Sequence, residues 1–277
     1  LKLICSLLIL TLLSTSSVFA QWKDDYEKGK WLDSVLYVYL FNKEQRLTVE
    51  KTLQQQLNER KDNELQSFVA LTEFIKGIDN NPASVDTFYE QVGTAYQSCP
   101  NLQAMCYKTI GFYYFVVAVN YEKAFSAYVK LEKLLEVYPA NVITDYATYC
   151  AEISSAYYKF KDFKKAIELG KRGVLYASNQ WDFYNTIGLC FMEQHQIDSA
   201  IHYLQKAADV AVEKKMPNIY RTISLGNVGY GYYRKKDFEK AKPLMLIDLK
   251  EALKMQDYGL ASGAEIPLAD IYLTEKK

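Results

Sequence analysis

His195 and His202 are the only histidines of this 277-residue chain, with Glu193 just before them and Asp198 between them. Imidazole and carboxylate groups at that density could hold a metal ion, but their spacing matches no established ligand signature. The run Gly226-Asn227-Val228-Gly229-Tyr230-Gly231 is glycine-rich enough to let backbone N–H groups approach a phosphate. A phosphate loop also needs a preceding strand and a following lysine-serine pair, and neither is present. No Gly-x-Ser-x-Gly turn offers a nucleophilic serine. Acidic residues are scattered along the whole chain, so no pair stands out for acid–base work. These residues predict no catalytic centre, no metal site and no cofactor.

The charges that must flank any site are balanced, with 33 Lys and Arg against 33 Asp and Glu. They interleave along the sequence, which is the pattern of solvated helix faces and not of a nucleic-acid-binding patch. The chain opens with Lys2, an apolar run from Leu3 to Leu13, a small polar stretch, and Val18-Phe19-Ala20. That order is the layout of a secretory signal peptide, with cleavage expected after Ala20 and export to the periplasm or the exterior. The apolar run is shorter than the roughly 20 residues a membrane-spanning helix needs. Of the cysteines remaining after cleavage, Cys150 and Cys190 fall on apolar stripes. Cys99 and Cys106 flank Pro100 at an expected turn, where a disulfide is an open alternative to free thiols.

Scarce glycine and proline, and apolar residues three and four apart through Phe68, Leu71, Phe74 and Ile75, predict helices. Long polar helices are expected from about Trp31 to Arg60, followed by segments 62–78 and 83–98. Turn chemistry at Asn80-Asn81-Pro82, Cys99-Pro100-Asn101, Pro139-Ala140-Asn141, Ser178-Asn179 and Met216-Pro217 separates further helices.

One turn recurs four times: Asn120-Tyr121-Glu122-Lys123-Ala124, Asp162 to Ala166, Gln196 to Ala200, and Asp237 to Ala241. Its polar residue can cap the second helix of a pair, its aromatic or aliphatic residue fills the wedge, and its alanine lets two backbones approach. Upstream of it a small residue precedes an aromatic by three positions: Ser154 with Tyr157, Gly188 with Phe191, Gly229 with Tyr232. In the earliest copy Phe112 and Phe115 take those places, although Gly111 and Tyr114 fit better after a shift of one residue. The alanines lie 42, 34 and 41 residues apart, and 34 is the tetratricopeptide period.

On these motifs, residues 102–277 resemble the tetratricopeptide repeat family, with Pro139 matching its closing proline. Trp181 alone stands near the family's first-position tryptophan, the later copies lack the closing proline, and Pro243 and Pro267 fall inside expected helices. The resemblance implies an all-α solenoid of antiparallel helix pairs, after a leader at 1–20 and a helical cap or degenerate repeats at 21–101. Leu268 to Leu273 is expected to restart a first helix, with Ala269 and Tyr272 at the small and aromatic places and the repeat continuing downstream.

The family's first helices line a concave groove. The resemblance places Tyr113, Ser155, Tyr158, Lys159, Asn185, Met192, Glu193, Tyr230, Tyr233 and Arg234 there. With 24 tyrosines in the chain, such a face suits capture of a protein or peptide, because tyrosine offers contact area and a hydroxyl at low entropy cost. The family's basic clamp for a terminal carboxylate is missing, since its places read Ala151 and Ser155. The expected role is an exported protein-interaction scaffold, free-standing or the extracytoplasmic input region of a signalling protein. No nucleic acid and no membrane insertion of the mature segment is expected. The alternative is a glycan-binding helical-repeat protein of the cell surface.

Overall fold

The computed structural model describes residues 25–60, 62–78, 84–97 and 99–275; the leader-like residues 1–20 and the Asn80-Asn81-Pro82 turn lie outside them. Among the described residues there are thirteen α-helices and no strand, in two units that divide after Asp145. The protein is an all-α helical-repeat structure. None of its described helices is long and apolar enough to cross a membrane.

The first unit contains α1 (Asp25–Phe41), α2 (Arg46–Arg60), α3 (Asn63–Ile78), α4 (Ser84–Ala95), α5 (Pro100–Phe112) and α6 (Tyr121–Val137). The span from Trp31 to Arg60 holds two helices. At Asn42 the chain leaves α1 for a 3-10 turn over Lys43–Gln45, and Arg46 Nε donates to the Tyr39 carbonyl at 2.8 Å. The reversal brings Tyr39 Oη against Glu50 Oε1 at 2.8 Å. Leu32, Leu53, Leu65, Phe68 and Leu71 are buried along the apolar stripes that the sequence periodicity marks. The closing segment is pinned by Asn101, buried at the start of α5, whose Oδ1 accepts from the Thr144 amide at 2.8 Å. Cys99 and Cys106 are not joined in a disulfide. They lie seven residues apart at the start of and within one helix, a rise of about 10 Å where a disulfide allows about 7 Å between α-carbons.

α5 ends in a π turn over Tyr113–Val117, and this turn settles the register of the first repeat copy. In three copies the amide of the turn's polar residue bonds to the carbonyl of the first-helix aromatic five residues back. These are Asp162 to Tyr157 at 2.9 Å, Gln196 to Phe191 at 2.9 Å and Asp237 to Tyr232 at 3.0 Å. In the first copy the Asn120 amide reaches Tyr114, six residues back, at 2.8 Å. One extra residue is present and the π turn absorbs it. Gly111 and Tyr114 therefore take the small and aromatic places, buried, while Phe112 is exposed.

The second unit contains α7 (Tyr146–Lys159), α8 (Phe163–Val174), α9 (Trp181–Glu193), α10 (Ile197–Glu213), α11 (Asn218–Arg234), α12 (Phe238–Lys254) and α13 (Tyr258–Glu275). α7 packs on α8, α9 on α10 and α11 on α12, and each pair packs on the next. The turns follow one recipe. Lys161, His195 and Lys236 adopt φ of 64°, 60° and 62°, the left-handed conformation that ends a helix. Asp162 and Asp237 then accept from the amides of Lys165 and Lys240 at 3.2 and 3.3 Å. Trp181 is buried at the start of α9, where its Nε1 donates to Ser224 Oγ and the Tyr220 carbonyl, both at 3.0 Å. α12 and α13 run through Pro243 and Pro267 without ending. α13 begins at Tyr258 behind an Asp257 cap, well before the restart expected beyond Pro267, because that capped turn starts a helix that one missing backbone donor does not stop. Ala269 and Tyr272, at the small and aromatic places, are exposed.

Candidate functional site

In the second unit the first helices of successive pairs, α7, α9, α11 and α13, are neighbours. The glycine-rich run sits mid-way along α11, where its glycines serve close helix packing. A β-carbon on Gly229 would lie 2.8 Å from Met245 Cγ, and one on Gly231 2.7 Å from Ile201 Cγ1.

Gly226, one turn earlier, opens a cavity of about 280 Å³ between α11 and α13. Met192 and Glu193 of α9, Asn227 and Tyr230 of α11, Met245 and Asp248 of α12, and Gly259 and Gly263 of α13 are among its lining residues. The Asn227 amide is tied to Asn185, Nδ2 donating to Oδ1 at 3.4 Å. A β-carbon at Gly226 would run into the Asp248 carboxylate, whereas one at Gly263 would meet nothing within 4 Å. Asp248 Oδ1 is shut off from solvent and has no hydrogen-bond partner among the described residues. Burial pushes its carboxyl up to about 6.

Of the residues projected onto the groove, Met192, Glu193 and Tyr230 meet at this cavity, and Asn185 touches it through Asn227. Met192 is buried at 4 % exposure and serves as cavity wall. Tyr233 and Arg234 sit at the end of α11. The Tyr233 and Tyr230 ring centroids are 5.8 Å apart, and Tyr233 Oη donates to Asp270 Oδ2 of α13 at 2.9 Å. That bond raises the Tyr233 phenol above its ordinary value. Arg234 lies over the Tyr230 ring at 5.9 Å and donates to His195 Nδ1 at 2.7 Å. Tyr158 is half-buried on α7, its phenol raised first by burial and then by the charge of Glu193. Ser155 and Lys159 are exposed on the same helix. Tyr113 belongs to the first unit, in the π turn, its ring 5.6 Å from that of Tyr114. His202 is exposed against Tyr203.

Solved structures share this fold. Apo RapI superposes with a TM-score of 0.67 at 16 % identity, over 91 % of this chain and 72 % of that one. A Rap protein crystallised with Competence and Sporulation Factor gives 0.57 at 18 % identity, with the same coverage of both chains. BtubC from P. vanneervenii gives 0.55 at 14 % identity, over 78 % of this chain and 87 % of that one. The likeness is one of fold. No family model and no curated protein matches the chain.

Asp248, Gly259 and Gly263 were not legible as site residues. Asp248 lies on a second helix, outside the first-helix positions that line the groove in the family. One signal was there: Ala241, Met245, Asp248 and Ala252 fall on one helical stripe, and the three others are buried. A carboxylate on a buried stripe is a candidate site residue by its cost alone.

Proposed function

We propose that this chain is a ligand-capturing helical-repeat scaffold whose groove, formed by α7, α9, α11 and α13, takes a peptide or an extended segment of a protein. The cavity between α11 and α13 carries this reading. It combines an apolar wall from Met192, Leu260 and Ala264 with convergent polar groups from Asn227, Tyr230 and Asp248, the mixture that binding pockets use to hold and orient a ligand. Tyr230 and Tyr233 extend it along α11 with an aromatic surface suited to protein recognition. A Rap protein of the same fold holds a bound factor in its crystal structure, which supports capture as the use of such an architecture.

The test is a selection of random peptides displayed on phage against the immobilised chain, run in parallel with Tyr158, Tyr230 and Tyr233 all changed to alanine. Enrichment of a peptide family by the parent and its loss in the variant, at unchanged helical circular dichroism, supports the reading. No enrichment by the parent sinks it. Loss of helicity in the triple variant would instead make these tyrosines structural.

Export is proposed on the leader-like order of residues 1–20 alone. Sequencing the amino terminus of the secreted product tests it, with Gln21 the expected first residue. A role as the extracytoplasmic input region of a signalling protein is a further proposal that rests on the family resemblance.

A further inference from the structure

The cavity between α11 and α13 is small for a complete ligand. At about 280 Å³ it falls just short of the roughly 300–1,000 Å³ of small-molecule clefts, a volume suited to one long side chain of a larger ligand. Its lining carries the two carboxylates Glu193 and Asp248 and no lysine or arginine. Glu193 is exposed at the rim, and Asp248 is set deeper, with one oxygen sealed from water and unbonded among the described residues.

An isolated carboxylate in such a place is costly unless a partner compensates it. No charged group on the packed helices offers that partner. α11 contributes Gly226, Asn227 and Tyr230, α13 contributes Gly259, Leu260, Gly263 and Ala264, and the one charged residue from α9 is the like-charged Glu193. On α12 itself, Glu251 is paired with Lys254 at 3.3 Å, on the next turn. Asn227, with its Nδ2 engaged by Asn185, keeps Oδ1 as a second acceptor. Gly226 and Gly263 keep side chains out of the opening.

We propose that this cavity is a specificity subsite that receives a lysine or arginine side chain of the bound peptide, with Asp248 as its counter-charge. The inference rests on the peptide-capture reading and adds the chemistry that the ligand must carry. A cationic head would supply the missing partner to a carboxylate that burial holds partly protonated near neutral pH, while its aliphatic stem would lie along Met192, Leu260 and Ala264.

Two measurements test it separately from capture itself. The first compares peptides selected by the parent chain with those selected by Asp248→Asn, a variant that removes an uncompensated charge and so keeps the fold. Lysine or arginine fixed at one position for the parent, absent for the variant, with about tenfold or greater loss of affinity when parent-selected peptides meet the variant, is the expected result. Peptides enriched without a fixed basic residue, or with the same one in both selections, overturn the subsite and leave peptide capture standing.

The second needs no peptide: n-butylguanidinium and n-butylammonium should raise the melting temperature of the parent, but not that of Asp248→Asn or Gly263→Leu, and n-butanol should not. Equal shifts in parent and variants, or none in the parent, overturn the proposal even where peptides bind elsewhere in the groove.

Discussion

Gly188 lies under Leu204 so closely that a β-carbon on the glycine would come within 2.6 Å of the leucine Cγ. The same joint recurs between the small residue of each first helix and the residue one turn past the motif alanine on each second helix. Gly111 faces Tyr128 and Gly229 faces Met245, whereas Ser154 faces Gly170, near enough that a β-carbon there would sit 3.4 Å from the serine Oγ. A large residue on one side thus goes with glycine on the other, and serine goes with glycine. No joint pairs two large residues, and where both are small Ile187 fills the remaining space, its Cγ1 2.8 Å from a β-carbon on Gly170, as close-packed interiors require.

Gly188→Ser should therefore destabilise by about 1–3 kcal/mol through overpacking, and Leu204→Gly by about 3–5 kcal/mol through the lost side chain and the cost of a helical glycine. The double variant, which recreates the Ser154–Gly170 joint, should lose less than the sum of the two by about 1 kcal/mol or more. Urea unfolding of the four proteins measures this coupling, and strict additivity would refute the shared joint.

Gln196 holds the cap position of the third turn with φ −90° and ψ 66°, close to Asp162 at −86° and 73° and Asp237 at −85° and 74°. Both aspartates accept a bond from the backbone amide three residues on; Gln196 makes no such side-chain bond. Gln196→Asp should stabilise by about 1 kcal/mol, and Asp237→Ala should cost a similar amount. Thermal melts of both variants check the pair of opposite signs.

The helix pairs of the second unit were legible because three local rules coincide in one short motif: a polar cap, a wedge residue and an alanine at a fixed offset. The first copy was legible only to within one residue. Phe112 with Phe115 and Gly111 with Tyr114 satisfy the same helical spacing, and nothing local to the sequence says that a π turn will follow. The position of the break at Asn42 was not legible because Arg46 to Arg60 continues the polar helical composition of the preceding segment, and the bond that stabilises the reversal is to a backbone carbonyl. The cavity needed the packing of four helices at once. Tyr230 and Glu193 were found from the first-helix register, but Asp248 reaches the cavity only because Gly226 makes room for it.

Val119 ends the π-turn segment at φ 50°, a left-handed conformation in which a β-branched side chain crowds the backbone. The other three copies of the motif place Lys161, His195 and Lys236 there, unbranched at the β-carbon, which bear the strain less severely. Val119 is also exposed, so removing its side chain sacrifices little burial. Val119→Gly is expected to raise stability by about 1 kcal/mol, with Val119→Asn intermediate, as read from denaturant midpoints. A loss of stability in the glycine variant would show that the valine side chain contributes more than its backbone strain costs.

Asp248 gives the protein a pH dependence with a definite sign. Its carboxyl titrates at about 6 in the folded chain against an ordinary value of 3.8, so between those values the folded state holds more protons than the unfolded one. Stability from this residue is therefore highest below the unfolded value, declines as pH rises through the window from about 4 to 6, and stays at the lower level above it. Asp248→Asn has no such loss. The melting temperature of the variant relative to the parent should climb between pH 4 and pH 7 and then level off, because only the parent must bury a charge. A difference that stays constant across that range would mean that the carboxylate is compensated in the folded chain. Addition of a basic ligand that occupies the cavity should shrink the difference at pH 7 by the same logic, since it stabilises the ionised parent and leaves the asparagine variant unchanged.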